Sequence, residues 1–208
     1  MKYFTIIFLF ILFSCGNKED ILLPKSGVTI VSDVVDHSPI YIFFRTKGKD
    51  TLVEVNRKNS ITSTNWILNI DKRLPLRLVI PEVMKLQEKK RNSAHKNELA
   101  ENYYSYADSI GKNMAFLPFT NVFYKMGKPL NGGFIFYFKK ESDIVLVDNI
   151  EIKKSEALNY LYSFNFAVNP KILLLFDKNM SFEEYLQTKI LIRELDKFNK
   201  EVPKEFIY

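Results

Sequence analysis

The chain has 208 residues, of which 47% are hydrophobic and 26% charged, the proportions of a folded protein rather than of a disordered one. One cysteine and two histidines exclude a disulfide framework and leave no motif-spaced zinc site, so neither metal nor cofactor is expected. The formal net charge is +6, but the lysines and arginines are scattered in short groups broken by acids; a nucleic-acid binder would concentrate them along one element, so no nucleic-acid partner is expected.

The chain opens with Met1-Lys2, runs apolar from Tyr3 to Phe13, and reaches Ser14 and Cys15 before turning polar at Gly16-Asn17-Lys18-Glu19-Asp20. That is the tripartite pattern of a secretory signal peptide. The apolar run falls short of the ~20 residues that span a bilayer. Leu12-Phe13-Ser14-Cys15 resembles a bacterial lipobox, with Phe13 bulkier than the small residue usual at that place. The resemblance implies cleavage before Cys15, a diacylglyceryl thioether on it, and an acylated (palmitate-type) amino terminus. Residues 1–14 are then a signal peptide and 15–38 a lipidated tether. Each buried acyl methylene adds about 0.8 kcal/mol, so two or three chains hold firmly. The competing readings are an ordinary signal peptide with a chance cysteine, or an uncleaved signal anchor. Lys18-Glu19-Asp20 resembles a short basic-then-acidic signal for display at the bacterial surface, and reads equally as a solvated tether. Gly16 does not resemble an inner-membrane retention residue. The expected location is therefore the cell envelope at the outer membrane, with the surface or periplasmic face left open.

Within the tether, Ile21-Leu22-Leu23 and Val28 to Val31 could add an edge strand. Residues 39–87 read as a β-rich first half with one helix. Ile40 to Phe44 suits a buried strand, Lys47-Gly48-Lys49-Asp50 a turn, Thr51 to Val55 the returning strand of a hairpin, and Trp66 to Ile70 a further strand. Leu76, Val79, Ile80, Val83, Met84 and Leu86 then recur at helical spacing. Pro75 suits a helix start, whereas Pro81 marks either the true start or a kink. Residues 88–113, polar and charged with Tyr103, Tyr104 and Tyr106 clustered inside, read as a partly helical, mobile insertion. Those tyrosines could stack on sugar rings or a partner; packing onto the main body is the favoured reading.

Residues 114–208 form the expected second α+β half. Strands are expected at 121–126, at 132–139 with apolar groups on both faces, and at 144–147. Asn131-Gly132-Gly133 reads as the turn before the second of these. Ser155 is expected to cap a helix reaching Phe164, broken by Asn169-Pro170; Lys171 to Phe176 reads as a buried strand. Ser181 with Glu184 makes a capping box for a helix to about Asn199, with a terminal strand at 205–208.

The order strand, helix, strand, helix, strand over 143–208 resembles the periplasmic domain of the ExbD/TolR biopolymer-transport family. It is carried by Ile144 to Val147, the helix after Ser155, Ile172 to Phe176 ending in Asp177, the helix after Ser181 and the strand at Phe206. The resemblance implies an envelope-facing interaction domain. That family's proton-linked transmembrane carboxylate has no counterpart, because the signal segment here carries no acid. Leu68 to Lys72 and Leu174 to Lys178 also look alike, which suggests two related halves. Turn chemistry accounts for Asp71 and Asp177 without any site.

No nucleophile elbow, phosphate loop or dinucleotide fingerprint is present. Asp33, Asp36 and His37 are close in sequence but read as a solvated loop. The fold class expected is α+β, with small mixed sheets and helices packed on one face. The function expected is a non-catalytic binding or structural role in an envelope lipoprotein held to the membrane through Cys15, with an envelope protein or polymer as partner. The alternative is an envelope enzyme, for example a carboxylate-based hydrolase acting on envelope polymers.

Overall fold

β-Branched and aromatic residues set between turn signals make strand the commonest regular structure of this chain. The computed structural model describes residues 20–129, 133–164, 171–198 and 204–208. Its first sheet holds β1 (Lys25–Ser26), β2 (His37–Lys47), β3 (Asp50–Asn56), β4 (Asn65–Ile70), β5 (Asn102–Asp108) and β6 (Asn113–Pro118). The second holds β7 (Phe123–Met126), β8 (Phe134–Phe138), β9 (Ile144–Val147), β10 (Ile150–Lys153), β11 (Ile172–Phe176) and β12 (Lys204–Ile207). The helices are α1 (Leu76–Arg91), α2 (Ala157–Tyr162) and α3 (Phe182–Ile192). The fold class is α+β with mixed sheets, as the sequence indicates.

One continuous core joins the two sheets through the helices. Ile42, Leu68 and Ile70 of the first sheet, Val79 and Val83 of α1, Leu186 of α3, and Phe136, Leu174 and Phe176 of the second sheet belong to it. Helix α1 touches β3 on one side and β7 and β12 on the other, while α3 packs on α1 and β1. Phe182, Tyr185, Leu186 and Leu195 are all buried, as their spacing predicts. Each such side chain contributes roughly 1.5–3 kcal/mol. The Ser181 hydroxyl accepts from Glu184 N at 3.2 Å, which starts α3. Helix α1 starts directly after Pro75 and runs on through Pro81.

The two halves share a topology. In the first, β3 pairs antiparallel with β2, and β2, β4 and β5 run parallel in that order. In the second, β9 pairs antiparallel with β8, and β8, β11 and β12 run parallel. α1 joins β4 to β5, and α3 joins β11 to β12. The segments entering these helices pair with each other about a bridge between Pro75 and Ser181, an offset of 106 residues. Leu76 N donates to Met180 O (2.9 Å) and Phe182 N to Leu74 O (2.8 Å). Outside these, Arg77 N donates to Lys178 O (2.8 Å) and Glu183 N to Lys72 O (3.1 Å). Every bond in this set maps onto its mate when the same offset is applied, so the pattern is two-fold. The resemblance between Leu68–Lys72 and Leu174–Lys178 thus lies at equivalent places in two like units.

Three expected boundaries shift. Residues 88–113 are not an insertion: α1 continues to Arg91, and 102–108 form β5, bonded to both β4 and β6. Their polar side chains are accommodated by partners. Asn102 accepts from Lys90, and Ser105 donates to Asn69 at 2.7 Å. Tyr104 and Tyr106 point into the core. Within the expected tether, residues 20–36 pack on the first sheet: Lys72 N donates to Leu22 O, Tyr106 Oη to Val28 O, and Val31 bridges Phe116. The second sheet begins at Phe123, since β6 belongs to the first. Ser155 lies in a 3₁₀ turn (Lys154–Glu156) ahead of α2 and does not cap it.

Candidate functional site

Side chains alternate across a strand, so each sheet has an outer face turned away from the helices. On the second sheet that face carries Leu173, Leu175 and Phe206, with Ile135 and Tyr137 packed beside them. Strand order explains what crosses it. The connections through α2 and α3 step from β10 to β11 and from β11 to β12, with their helices in the inner core. The chain from β7 to β8 steps the opposite way across the same parallel strands. A right-handed connection of that sense leaves β7 toward the outer face. Its residues Lys128 and Pro129 do line a groove there.

That groove has a volume of about 320 Å³. Ile135 and Tyr137 of β8, Leu146 of β9 and Leu175 of β11 form its floor; Tyr208 closes one end, and Asp148 and Asn149 stand at the rim. The rim pair is the β9–β10 hairpin turn, with φ of 47° and 73°. Two successive left-handed residues are what a type I′ turn demands, and Asp and Asn tolerate them. Asp148 Oδ1 accepts from Ile135 N at 3.1 Å, tying the rim to the floor. Gly133, entering β8 with φ 149°, has Lys171 O only 2.5 Å from where a Cβ would sit, so no larger residue fits. Burial pushes the Tyr137 phenol above its ordinary pKa, aided by Asp177 and Tyr208, so it stays neutral. Lys128 lies 4.2 Å from the Tyr208 ring centre and Lys178 5.7 Å from it. The groove can therefore offer apolar contact, two aromatic faces, and both charges at its edge. Its lining holds one carboxylate, Asp148.

The corresponding face of the first sheet is different. Aligning the paired strands sets Tyr41 against Tyr137, Asn69 against Leu175 and Ser105 against Phe206. Where the second sheet has two apolar side chains, the first has the Asn69–Ser105 hydrogen bond.

Two further clusters serve the fold. Tyr104 Oη, Tyr124 Oη and Tyr185 Oη form a chain with spacings of 2.8 and 3.1 Å, ending with Tyr185 donating to Glu205 Oε2 at 2.6 Å. Lys189 Nζ stands 2.7 Å from Glu205 Oε1. Burial pushes all three phenols well above their ordinary pKa. This network is sealed inside the core between the halves. At the end of α1, buried Lys90 donates to Glu101 O (3.1 Å) and Asn102 Oδ1 (2.9 Å), fixing the loop into β5. Burial brings its ammonium down to about 8.

Cys15 and the signal segment lie outside the described residues. Asp71 and Asp177 take the expected turn roles, accepting from Arg73 N (3.1 Å) and Asn179 N (2.8 Å). Burial raises the Asp71 carboxyl, but the hydrogen bonds and charge of Arg73 outweigh it and hold the group below its ordinary value. Asp33, Asp36 and His37 are exposed, and His37 Nδ1 sits 2.6 Å from Val34 O. Among the described residues no three metal-ligating side chains cluster, and no helix is long and apolar enough to cross a membrane. Tyr103 hydrogen-bonds Glu101 at the surface, apart from the groove. Sequence reasoning missed the groove itself; its signal was the apolar residues on both faces of β8 and β11. Compared with known protein families, curated proteins and solved structures, the chain matches none.

Proposed function

We propose that the protein is a lipid-anchored cell-envelope binding protein, without catalysis, whose binding face is the outer groove of the second sheet. The observation that carries this reading is the contrast between equivalent positions. On the second sheet these places hold Leu175 and Phe206, packed together beneath the groove, while the like unit fills the same places with the hydrogen-bonded pair Asn69 and Ser105. Apolar floors with a few polar groups at the rim are the usual form of binding sites. Anchorage through Cys15 fits the geometry, because Leu22 is already bonded to Lys72. The stretch from Cys15 to Leu22 spans at most ~25 Å when extended, which would keep the body beside the bilayer. The likeness of residues 143–208 to the ExbD/TolR periplasmic domain supports an envelope-facing interaction role in the same way. It brings no proton-coupled activity with it.

The test is photocrosslinking in intact cells, with a photoreactive amino acid at Leu146 in the groove and, as a control, at Ile61, which is exposed on the other half. The reading expects discrete adducts from Leu146 and none from Ile61. Equal, diffuse labelling at both positions would count against it.

A further inference from the structure

We infer that the groove takes a protein segment that presents apolar side chains between acidic residues. The inference rests on the binding reading above and names the partner's chemistry. Strand alternation and register identify what surrounds the apolar floor. Lys125 registers with Phe206, and Lys204 precedes that residue by two. Lys139 follows Tyr137 by two, and Lys153 registers with Ile144 on the face of Leu146. With Lys128 on the groove wall, these lysines ring the outer face. Among the described residues the acids on the same face are Asp148, Glu151 and Asp177, and Asp148 is already engaged with Ile135 N. An apolar centre inside a predominantly positive rim is complementary to an apolar segment with negative flanks.

The shape argues for a protein segment over a bilayer or a glycan. The floor residue Leu175 and its outer-face neighbour Leu173 are only 5% and 3% exposed. A flat lipid surface cannot reach them, whereas a projecting leucine or phenylalanine side chain can enter a space of about 320 Å³. A sugar ring could hydrogen-bond only to Asp148, Asn149 and the tyrosine hydroxyls, and not to the aliphatic floor of Ile135, Leu146 and Leu175.

The experiment titrates the full chain in detergent micelles with three short fluorescent peptides sharing a Phe-Leu centre, flanked by glutamates, serines or lysines. Phosphatidylglycerol vesicles and the chain's own self-association form separate arms. The glutamate peptide should bind tightest, the lysine peptide weakest, and added salt should weaken the former. Lys125→Glu with Lys204→Glu should lower glutamate-peptide affinity by about tenfold. Leu175→Asn with Phe206→Ser, which copies the polar pair of the first sheet, should abolish binding of all three. The surface lysine variants keep the test open should the Leu175/Phe206 pair on the outer face disturb folding. If all three peptides bind alike and are lost together in Leu175→Asn/Phe206→Ser, the groove reading stands and the acidic preference falls. If no peptide binds, both fall. Binding of the vesicles through this face, or dimerisation that the lysine substitutions abolish, would overturn the proposed partner.

Discussion

Breaking the Lys189–Glu205 pair should cost far more than its single contact suggests. Glu205 has no exposed surface, and Lys189 and Tyr185 contact its two oxygens at 2.7 and 2.6 Å. The equivalent places in the first half hold Val83 and Tyr104, so the charges are peculiar to the second unit. Lys189→Met takes the ammonium away from Glu205 Oε1, and Glu205→Gln takes the carboxylate away from Lys189 Nζ, so each single variant removes one half of this buried contact. Removing one partner of a buried pair costs about 3–5 kcal/mol. Against a total stability of roughly 5–15 kcal/mol, either variant should be severely destabilised. The double variant Lys189→Met/Glu205→Gln removes both charges and keeps an acceptor for Tyr185. It should lose only about 1–3 kcal/mol, from amide hydrogens left without acceptors. Urea unfolding of the four proteins measures this directly, with the coupling read from the thermodynamic cycle. Single variants within about 1 kcal/mol of wild type, or strictly additive losses, would refute the reasoning.

Leu186→Asp should prevent folding of the second half, because it buries a charge among Phe182, Tyr185 and the inner sheet face; loss of near-ultraviolet circular dichroism would register it. Lys90 titrates near 8 in the folded chain against 10.5 ordinarily, so the unfolded chain binds the extra proton between these values and stability should rise with pH from about 8 to 10. Lys90→Met should flatten that rise in chemical denaturation at stepped pH; an unchanged slope would contradict the assignment. Asp71 is held below its ordinary 3.8, so its contribution is present above that pH and lost as pH falls through the lower folded value. Asp71→Asn should start less stable at neutral pH and lose less on acidification than wild type, as followed by acid titration of fluorescence.

Much of the second half was legible because its signals were local. Turn residues bounded Ile144–Val147, Ser181 and Glu184 marked a helix start, and the run Ile172–Phe176 could only be a buried strand. β5 was hidden because Asn102, Ser105 and Asp108 make it look solvated, and their partners Lys90, Asn69 and Thr29 are distant in sequence. The packing of residues 20–36 was illegible for the same reason: its bonds to Lys72, Tyr106 and Phe116 are long-range. The repeat could be glimpsed at Leu68–Lys72 and Leu174–Lys178, but its meaning lies in the two-fold bonding around Pro75 and Ser181. The groove needed topology, because only the direction of the β7–β8 crossover decides which face it crosses.

The functional account depends most on display of the folded body from a lipid at Cys15. Intact mass spectrometry of the protein extracted with detergent from the membrane fraction tests it, with Cys15→Ser alongside. The account predicts a polypeptide starting at Cys15 that carries diacylglyceryl and acyl mass, and an unlipidated, unprocessed or released Cys15→Ser protein. A mature chain that starts elsewhere, or one with an unmodified Cys15, would contradict it.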